Sequence, residues 1–513
     1  VPRKDSMNFD QLVWFKKDLR VSDHAPLFNG LQQGPTAALF VIEDQWKNSP
    51  EFSHFHYNFV LQCLQSLQVD LQKLNVPLFI LTGDTVKALE KLKTQYNFKT
   101  LHSHMETGSL WTYQRDLTVK DWCRHRGIQW HEHKQFAVLR GLKNRNVWNQ
   151  KRSQIIERPL HPRPKRQDLL KPVTLPDLGS WEEPAGVEHS SILGGRREAE
   201  RLLESFLSER GQNYTTEMSS PVTAFDSCSR LSPHITWGTL SLTEIHHRLQ
   251  SAKRELQINQ QPDSSTWRRS LRSFESRLWW HCHFMQKLES EPEIEFENVN
   301  RGFDGMRESD FDQEKFTAWK EGQTGFPFID ACMRALKKEG WINFRMRAML
   351  ISFASYQLWL HWRPTAIHLA QNFVDFEPGI HFSQVQMQSG VTGINTIRIY
   401  SPIKQGKDHD PTGDFIREHC PELEGLDEKY IHEPYLMPPM LAQMQGLELG
   451  KTYPHPIVDP KESYHQANKE IYKWRNKKEV KDKAAEVYRR HGSRKNRFFP
   501  KQHRKAFGNL TRD

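Results

Sequence analysis

GFPFIDACMRALKKEGWINFRMRAMLISF, residues Gly325–Phe353, decides the architecture of the carboxy-terminal half. From Phe328 to Lys338, and again from Trp341 to Leu360, apolar residues recur three and four apart, the spacing of one helix face. The same spacing extends outward through Glu198–Leu207, Leu242–Leu256, Ser265–Leu288, Glu314–Trp319 and Ile367–Phe373. Strand-like runs are nearly lacking after Arg196. A large all-α domain is therefore predicted over 196–477, with no repeat of fixed period.

Upstream the period changes. Leu12–Phe15, Ala37–Ile42, Pro77–Thr82 and Thr100–His104 are short, apolar and β-rich, with helical patterns at Phe52–Leu74 and Thr85–Tyr96 between them. Strands alternating with helices give βαβ units, so a Rossmann-like α/β domain with a parallel sheet is expected over 1–136. It lacks the GxGxxG of dinucleotide folds after its first strand. Residues 137–195 lose periodicity in NRNVWNQKRSQIIERPLHPRPKRQ and PDLGSWEEPAG and read as a linker, part of it lying on a domain surface through Ile155, Ile156, Leu169 and Leu170.

The chain has 513 residues, enough for two or three domains, and a net charge of +10, which favours a polyanionic partner. The excess concentrates after Lys473, so 478–513 reads as a basic extension, either solvated or in contact with nucleic acid. The 16 tryptophans serve packing, base stacking or electron hopping. No apolar run reaches the roughly 20 residues of a membrane span, and the start carries no secretory h-region. Six scattered cysteines fit a reduced, cytoplasmic setting.

Common catalytic patterns fail. His281-Cys282-His283 looks metal-binding, but adjacent helical residues diverge by about 100°, so the three cannot face one ion. Asp408–Asp414 imitates the start of a calcium loop, yet His419 stands where the bidentate Glu belongs. GxSxG, HExxH and GxxxxGK[ST] are absent, leaving hydrolysis and phosphoryl transfer unsupported, and no metal is expected.

Four segments, in order, resemble the photolyase/cryptochrome family: VWFKKDLRVSDHAPL (Val13–Leu27), NYTTEMSSPVTAFDSCSRLSPHITWGTLS (Asn213–Ser241), the run from Gly325 to Leu423 with RIYSPIKQGKDHDPTGDFIREHCPEL, and YPHPIVDPKES (Tyr453–Ser463). The resemblance implies an FAD in the helical domain. By it, Tyr214, Ser229, Arg230, Leu231 and Ser232 fall where the pyrophosphate is held. The same turn also suits an anion or, alternatively, a helix N-cap at Ser232 before Pro233. Arg347 and Asp375 match the ion pair along the flavin ring, and Glu377 lies in the same loop. Trp341 and Trp280 match aromatic walls of the site, Trp280 on the side of a flipped lesion. Arg345, Phe344, Arg398 and Lys404 are the implied DNA contacts.

Departures from the family mark a divergent branch, bacterial by expectation. Asn343-Phe344 stand where cyclobutane-dimer enzymes carry His-Asn, and no His pair of the (6-4) type is present. Arg277 replaces a common acid. The residue facing flavin N5 is His381, or Ile380 with a gap. The photoreducing Trp chain matches Ser383 or Val385, then Trp362, then a position near Ser309, with Trp359, Tyr356, Trp279, Trp319 and Tyr400 open for another route. The cysteine spacing predicts no iron–sulfur cluster. A second antenna chromophore of open identity is expected in the α/β domain. The implied function is light-driven repair of a UV-induced pyrimidine dimer in DNA by a monomer; the alternative is a cryptochrome-type photoreceptor.

Overall fold

The computed structural model describes residues 9–142, 145–168, 191–258, 264–309 and 311–492. Five parallel strands, β1 (Gln11–Phe15), β2 (Thr36–Glu43), β3 (Leu78–Gly83), β4 (Thr100–His104) and β5 (Gln129–His133), form one sheet in the order β3-β2-β1-β4-β5. Side chains alternate across it. Val13, Phe15, Ala38 and Phe40 enter one core with helix His54–Lys73, while Leu12, Trp14, Ala37 and Leu39 enter the other with Thr85–Tyr96. Burial on both faces is why β1 and β2 read as continuous apolar runs.

The four strands legible in the sequence are present. β5 was not anticipated: it is a largely exposed edge strand of sequence QWHEH. Helix Leu110–Arg126 was also missed, because its buried positions include Thr112, Arg115 and Asp116.

The remainder is helical around two cores, one of them built on Pro327–Glu339, Phe344–Ser352 and Trp362–Asn372. The single helix expected over Trp341–Leu360 is divided. Gly340, at φ 73, closes the preceding helix, and Asn343 starts the next. A π-helical turn, Phe353–Gln357, then ends it, with Trp359 beyond in the left-handed region at φ 56.

The stretch expected to be a linker contains helix Trp148–Ile156, whose Trp148 and Ile156 enter the same core as Phe206 and Leu278. Further on, the Gln167 side chain bonds both the amide (2.9 Å) and the carbonyl (2.8 Å) of Thr36 on β2. Leu169 and Leu170 lie outside the described residues. The expected basic extension begins with helix Lys478–His491, tied to the body by Val480 in the core and by pairing of Arg490 and His491 with Glu291. Residues 493–513 lie outside the described residues.

The two halves share a seam at the loop after β1. Leu19 donates its amide to Trp237 O (3.0 Å), and Arg20 donates to Gly238 O (2.9 Å). The Ser241 hydroxyl donates to Asp23 (2.6 Å), and His56 from the α/β half bonds Phe373 O (2.8 Å).

Candidate functional site

Short helices Tyr214–Glu217, Pro221–Ser227 and Ser232–Thr236 bring a turn, Cys228–Leu231, to the interior of the helical half. Ser229 Oγ accepts from the Leu231 amide (3.4 Å), and Arg230 is held at φ 54 with its guanidinium 4.3 Å over the Phe225 ring. Leu231 is fully buried, so it offers backbone. The capping alternative for Ser232 does not form: the helix starts at Ser232 itself, N-capped by Leu231 with no side-chain bond. Tyr214 is buried against Phe206. Burial pushes the Cys228 thiol up to about 12 even though four guanidinium groups, Arg210, Arg277, Arg230 and Arg347, act on it in the opposite sense. That concentration of cations around one turn suits a polyanion. Arg210 and Arg277 were not singled out for it in the sequence, where they lie far from the motif.

Arg347 and Asp375 do pair as expected, in bidentate geometry, at 2.9 Å and 3.0 Å. The Arg347 Nε donates to Ile342 O (2.7 Å), and its guanidinium lies 4.1 Å over Phe373. Thr236 Oγ1 donates to Asp375 O (3.4 Å), which joins this loop to the cation-rich turn, and Asn343 Nδ2 donates to Met218 O (3.1 Å). Trp341 stands edge-on to Phe225 at 6.1 Å.

Two further residues of the loop bond partners outside this ion pair. Glu377 faces the α/β half, 3.5 Å from Lys17 Nζ, and burial raises its carboxyl to about 7. His381 bonds Ala366 O (2.8 Å) and sits among Phe373, Phe376 and Phe382; Ile380 is half-buried. Helix Pro378–Gln388 reaches helix Ser264–Ser290 through Gly379, where a Cβ would come within 3.0 Å of Met285 Cα.

Trp280 is half-buried and begins a series of ring contacts: Trp279 at 5.0 Å, then Trp148 at 5.5 Å, both edge-to-face. Phe344 is 48% exposed, with the Arg277 guanidinium 5.6 Å over its ring. Arg345 is half-buried, Arg398 exposed, and Lys404 exposed but paired with Asp408. Trp362 is buried and donates to Asn298 (2.8 Å). Trp359 lies 4.4 Å beneath the buried Arg307 guanidinium, which is 5.5 Å from the Tyr356 ring.

A cleft opens at the carboxyl ends of β1 and β2, lined by Trp14, Trp46, Trp111, Arg115 and, from the helical half, Trp237 and Phe376. Open α/β sheets place ligands at such ends. Behind it, Asp18 receives His24 Nε2 (2.9 Å) and His104 Nδ1 (2.7 Å), a set with metal-like spacing. His24 Nδ1, however, accepts the Leu27 amide, so its proton resides on Nε2 and points at Asp18. Burial opposes charge on Asp18, yet the two histidines hold its carboxyl well below the usual range. Hydrogen bonding satisfies this cluster.

Burial lowers His56 and His381 to about 4, and His234 and His281 to about 3. Each is neutral when folded and titrates near its ordinary 6.5 when unfolded. Their contribution is complete above that pH and is lost as pH falls through the folded values. Glu377 and Glu295, both raised by burial to about 7, act oppositely: their contribution is full below 4.5 and lost as pH rises to 7. His102, His104, His133 and His368 are lowered to about 3 or 4 as well, and Asp410 is raised to about 6. With these eight histidines against three acids, stability is expected to fall between pH 6.5 and 4, by at most about 1.4 kcal/mol per pH unit for each histidine. Urea titrations at stepped pH measure this, and a flat profile would contradict the neutral histidines.

Residues 11–141 match the family described as DNA photolyase, and residues 274–473 match the FAD binding domain of DNA photolyase. The chain belongs to the photolyase/cryptochrome family. It is 29% identical to the deoxyribodipyrimidine photo-lyase of Agrobacterium fabrum across 87% of this chain and 94% of the relative. It is 28% identical to the cryptochrome DASH of Gloeobacter violaceus across 90% and 95%. Among solved folds, a bacterial class III photolyase from Agrobacterium tumefaciens superposes with a TM-score of 0.78 at 24% identity, covering 93% of this chain and 100% of that one. A Synechocystis cryptochrome gives 0.77 at 23%, covering 91% and 99%. This two-domain architecture is the family's. No helix among the described residues is long and apolar enough to cross a membrane.

The residues fit the family's FAD. Ser227 Oγ, Arg230 Nε, Asn343 Oδ1, Glu377 Oε2 and both ring nitrogens of His281 are buried without partners. Orphaned polar atoms of this kind cost about 1–3 kcal/mol each unless something polar meets them. His281, set aside in the sequence as a metal ligand, is thus a candidate that sequence reasoning missed.

Proposed function

We propose that the protein is a light-dependent DNA-repair lyase that splits UV-induced cyclobutane pyrimidine dimers. The observation that carries this reading is the exposed Phe344 at the start of the helix bearing Arg347, with Trp280 half-buried on the neighbouring helix. Such rings stack bases at about 1–3 kcal/mol each. When bound, FAD supplies light absorption and a single-electron donor. The Cys228–Ser232 turn with Tyr214 would hold its pyrophosphate. Arg347 and Asp375 would lie along its ring system, with Trp341, Glu377 and His381 around it. Arg345, Arg398 and Lys404 would meet DNA phosphates.

Trp280, Trp362 and Trp359 are the proposed electron-transfer or lesion-stacking groups. Guanidinium groups lie over both Trp359 (Arg307, 4.4 Å) and Trp148 (Arg145, 4.2 Å) and disfavour positive charge on either ring, so the charge would rest on Trp279 or Trp280 of the Trp280, Trp279 and Trp148 series. For the cleft beside β1 and β2 we propose a second chromophore; a related archaeal photolyase from Sulfolobus tokodaii carries two FAD molecules. We take the chain as a monomer divided at 1–136, 137–195, 196–477 and 478–513.

The lesion choice follows from protons. Repair of (6-4) products needs an acid beside the lesion, but His281 and His381 are neutral, Glu377 is paired with Lys17 on the side of the α/β half, and Asn343, Phe344 and Ala348 offer none. Splitting a cyclobutane dimer needs no such acid. Reduced, FAD-loaded protein under blue light is expected to convert cyclobutane-dimer oligonucleotides and leave (6-4) oligonucleotides intact. Turnover of the (6-4) product alone would reverse the choice. Turnover of neither would favour the second reading, a photoreceptor, which Arg277 and Phe344 support as departures from the repair pattern.

A further inference from the structure

We propose that Arg277, stacked on Phe344, is the phosphate contact that seats a flipped dinucleotide at the mouth of the site; this rests on the repair reading above. Arg277 lies one helical turn before Trp280 on helix Ser264–Ser290, so the two share a face, and its guanidinium reaches Phe344 at the start of helix Phe344–Ser352. Neighbouring guanidinium groups are engaged. Arg347 is held by Asp375, and Arg210 by the Asp226, Cys228 and Leu202 carbonyls. Arg230 lies on Phe225 with its Nε buried and unpaired, and it belongs to the Cys228–Leu231 turn assigned to the pyrophosphate.

Arg277 is exposed, and among the described residues no carboxylate pairs with it; Glu275, on the same helix, is taken by Lys253 (2.9 Å). Its own contacts are Met218 Sδ at 4.0 Å, the Tyr214 hydroxyl and the Phe344 face. A guanidinium laid on a ring keeps its N–H groups in the ring-parallel plane, and those not spent on Met218 and Tyr214 can meet a phosphate in the planar geometry that lysine lacks. The other face of Phe344 remains open to a base. The mouth therefore combines a stacking plate with a fixed cation and lacks the amide that would read a base edge. Recognition by stacking and charge is tolerant of sequence and requires no second strand. The contact proposed is with the phosphate of the extruded dinucleotide.

The test is anisotropy binding of a single-stranded cyclobutane-dimer oligonucleotide across a salt series, with FAD-loaded wild type, Arg277→Gln and Arg277→Lys. Each phosphate contact on a single strand contributes about 0.7 to the slope of log affinity against log salt. Arg277→Gln is expected to reduce the slope by about that amount, while Arg277→Lys keeps the slope and binds more weakly. Far-UV circular dichroism verifies the fold of each variant, and samples are matched for flavin content before titration, because Arg277 also lies near the Cys228 turn. An unchanged slope in Arg277→Gln, with wild type binding, overturns the contact and leaves the repair reading intact. No binding by wild type overturns the repair reading and the contact together.

Discussion

Asp375→Ala protein is expected to purify with at least tenfold less flavin absorbance than wild type and to unfold at lower denaturant. The Asp375 side chain is 4% exposed and that of Arg347 19%, and the pair is bidentate. Removing the acid leaves a mostly buried guanidinium with the Ile342 carbonyl and the Phe373 face. Breaking such a pair costs about 3–5 kcal/mol, because the remaining charge loses its compensation. Asp375→Asn keeps the shape and one acceptor, so it should fall between the two. Flavin content and a urea midpoint both matching wild type in Asp375→Ala would remove the pair from the site.

The second large effect belongs to the seam. Gly238 has φ 67, and a Cβ there would overlap the Lys17 carbonyl and lie 2.5 Å from Asp18 Cα. Gly238→Val combines a left-handed β-branched residue with displaced backbone, about 3 kcal/mol or more in total. The Leu19 amide should then lose protection in hydrogen exchange, since its acceptor is Trp237 O. Gly305→Ala is the control: φ is 83, but nothing lies within 4 Å of its Cβ, so backbone strain alone, about 1 kcal/mol, is expected. Equal effects from the two substitutions would show that the close approach contributes nothing.

Much of the fold is legible because its elements bury what their period displays. β1 to β4 are apolar, and the helices around Met333, Met349 and Leu369 carry an apolar face. β5 escapes because an edge strand buries little. Helix Leu110–Arg126 escapes because Arg115 and Asp116 pair with one another and with Glu43, Glu106 and Lys16 inside the protein. Helix Pro378–Gln388 likewise buries Ser383, Gln386 and Gln388 beside its apolar residues, which flattens the pattern. In the site, Arg347 and Asp375 were legible through resemblance alone, since nothing local links them. The contact of Arg277 with Phe344 was illegible for a different reason: each looks like an ordinary surface residue until two helices meet.

The shared loop after β1 also bears on how such a chain can be recombined. Lys17, Leu19, Arg20 and Asp23 are bonded to Trp237, Gly238, Ser241 and Glu377, so the first domain carries half of a joint completed far downstream. A chimera that grafts a relative's amino-terminal domain onto this helical body inherits a mismatched joint unless Trp237–Ser241 travels with it. Sequence boundaries drawn at the connecting segment are thus the wrong places to cut. The unit of exchange is the graft together with its distant socket.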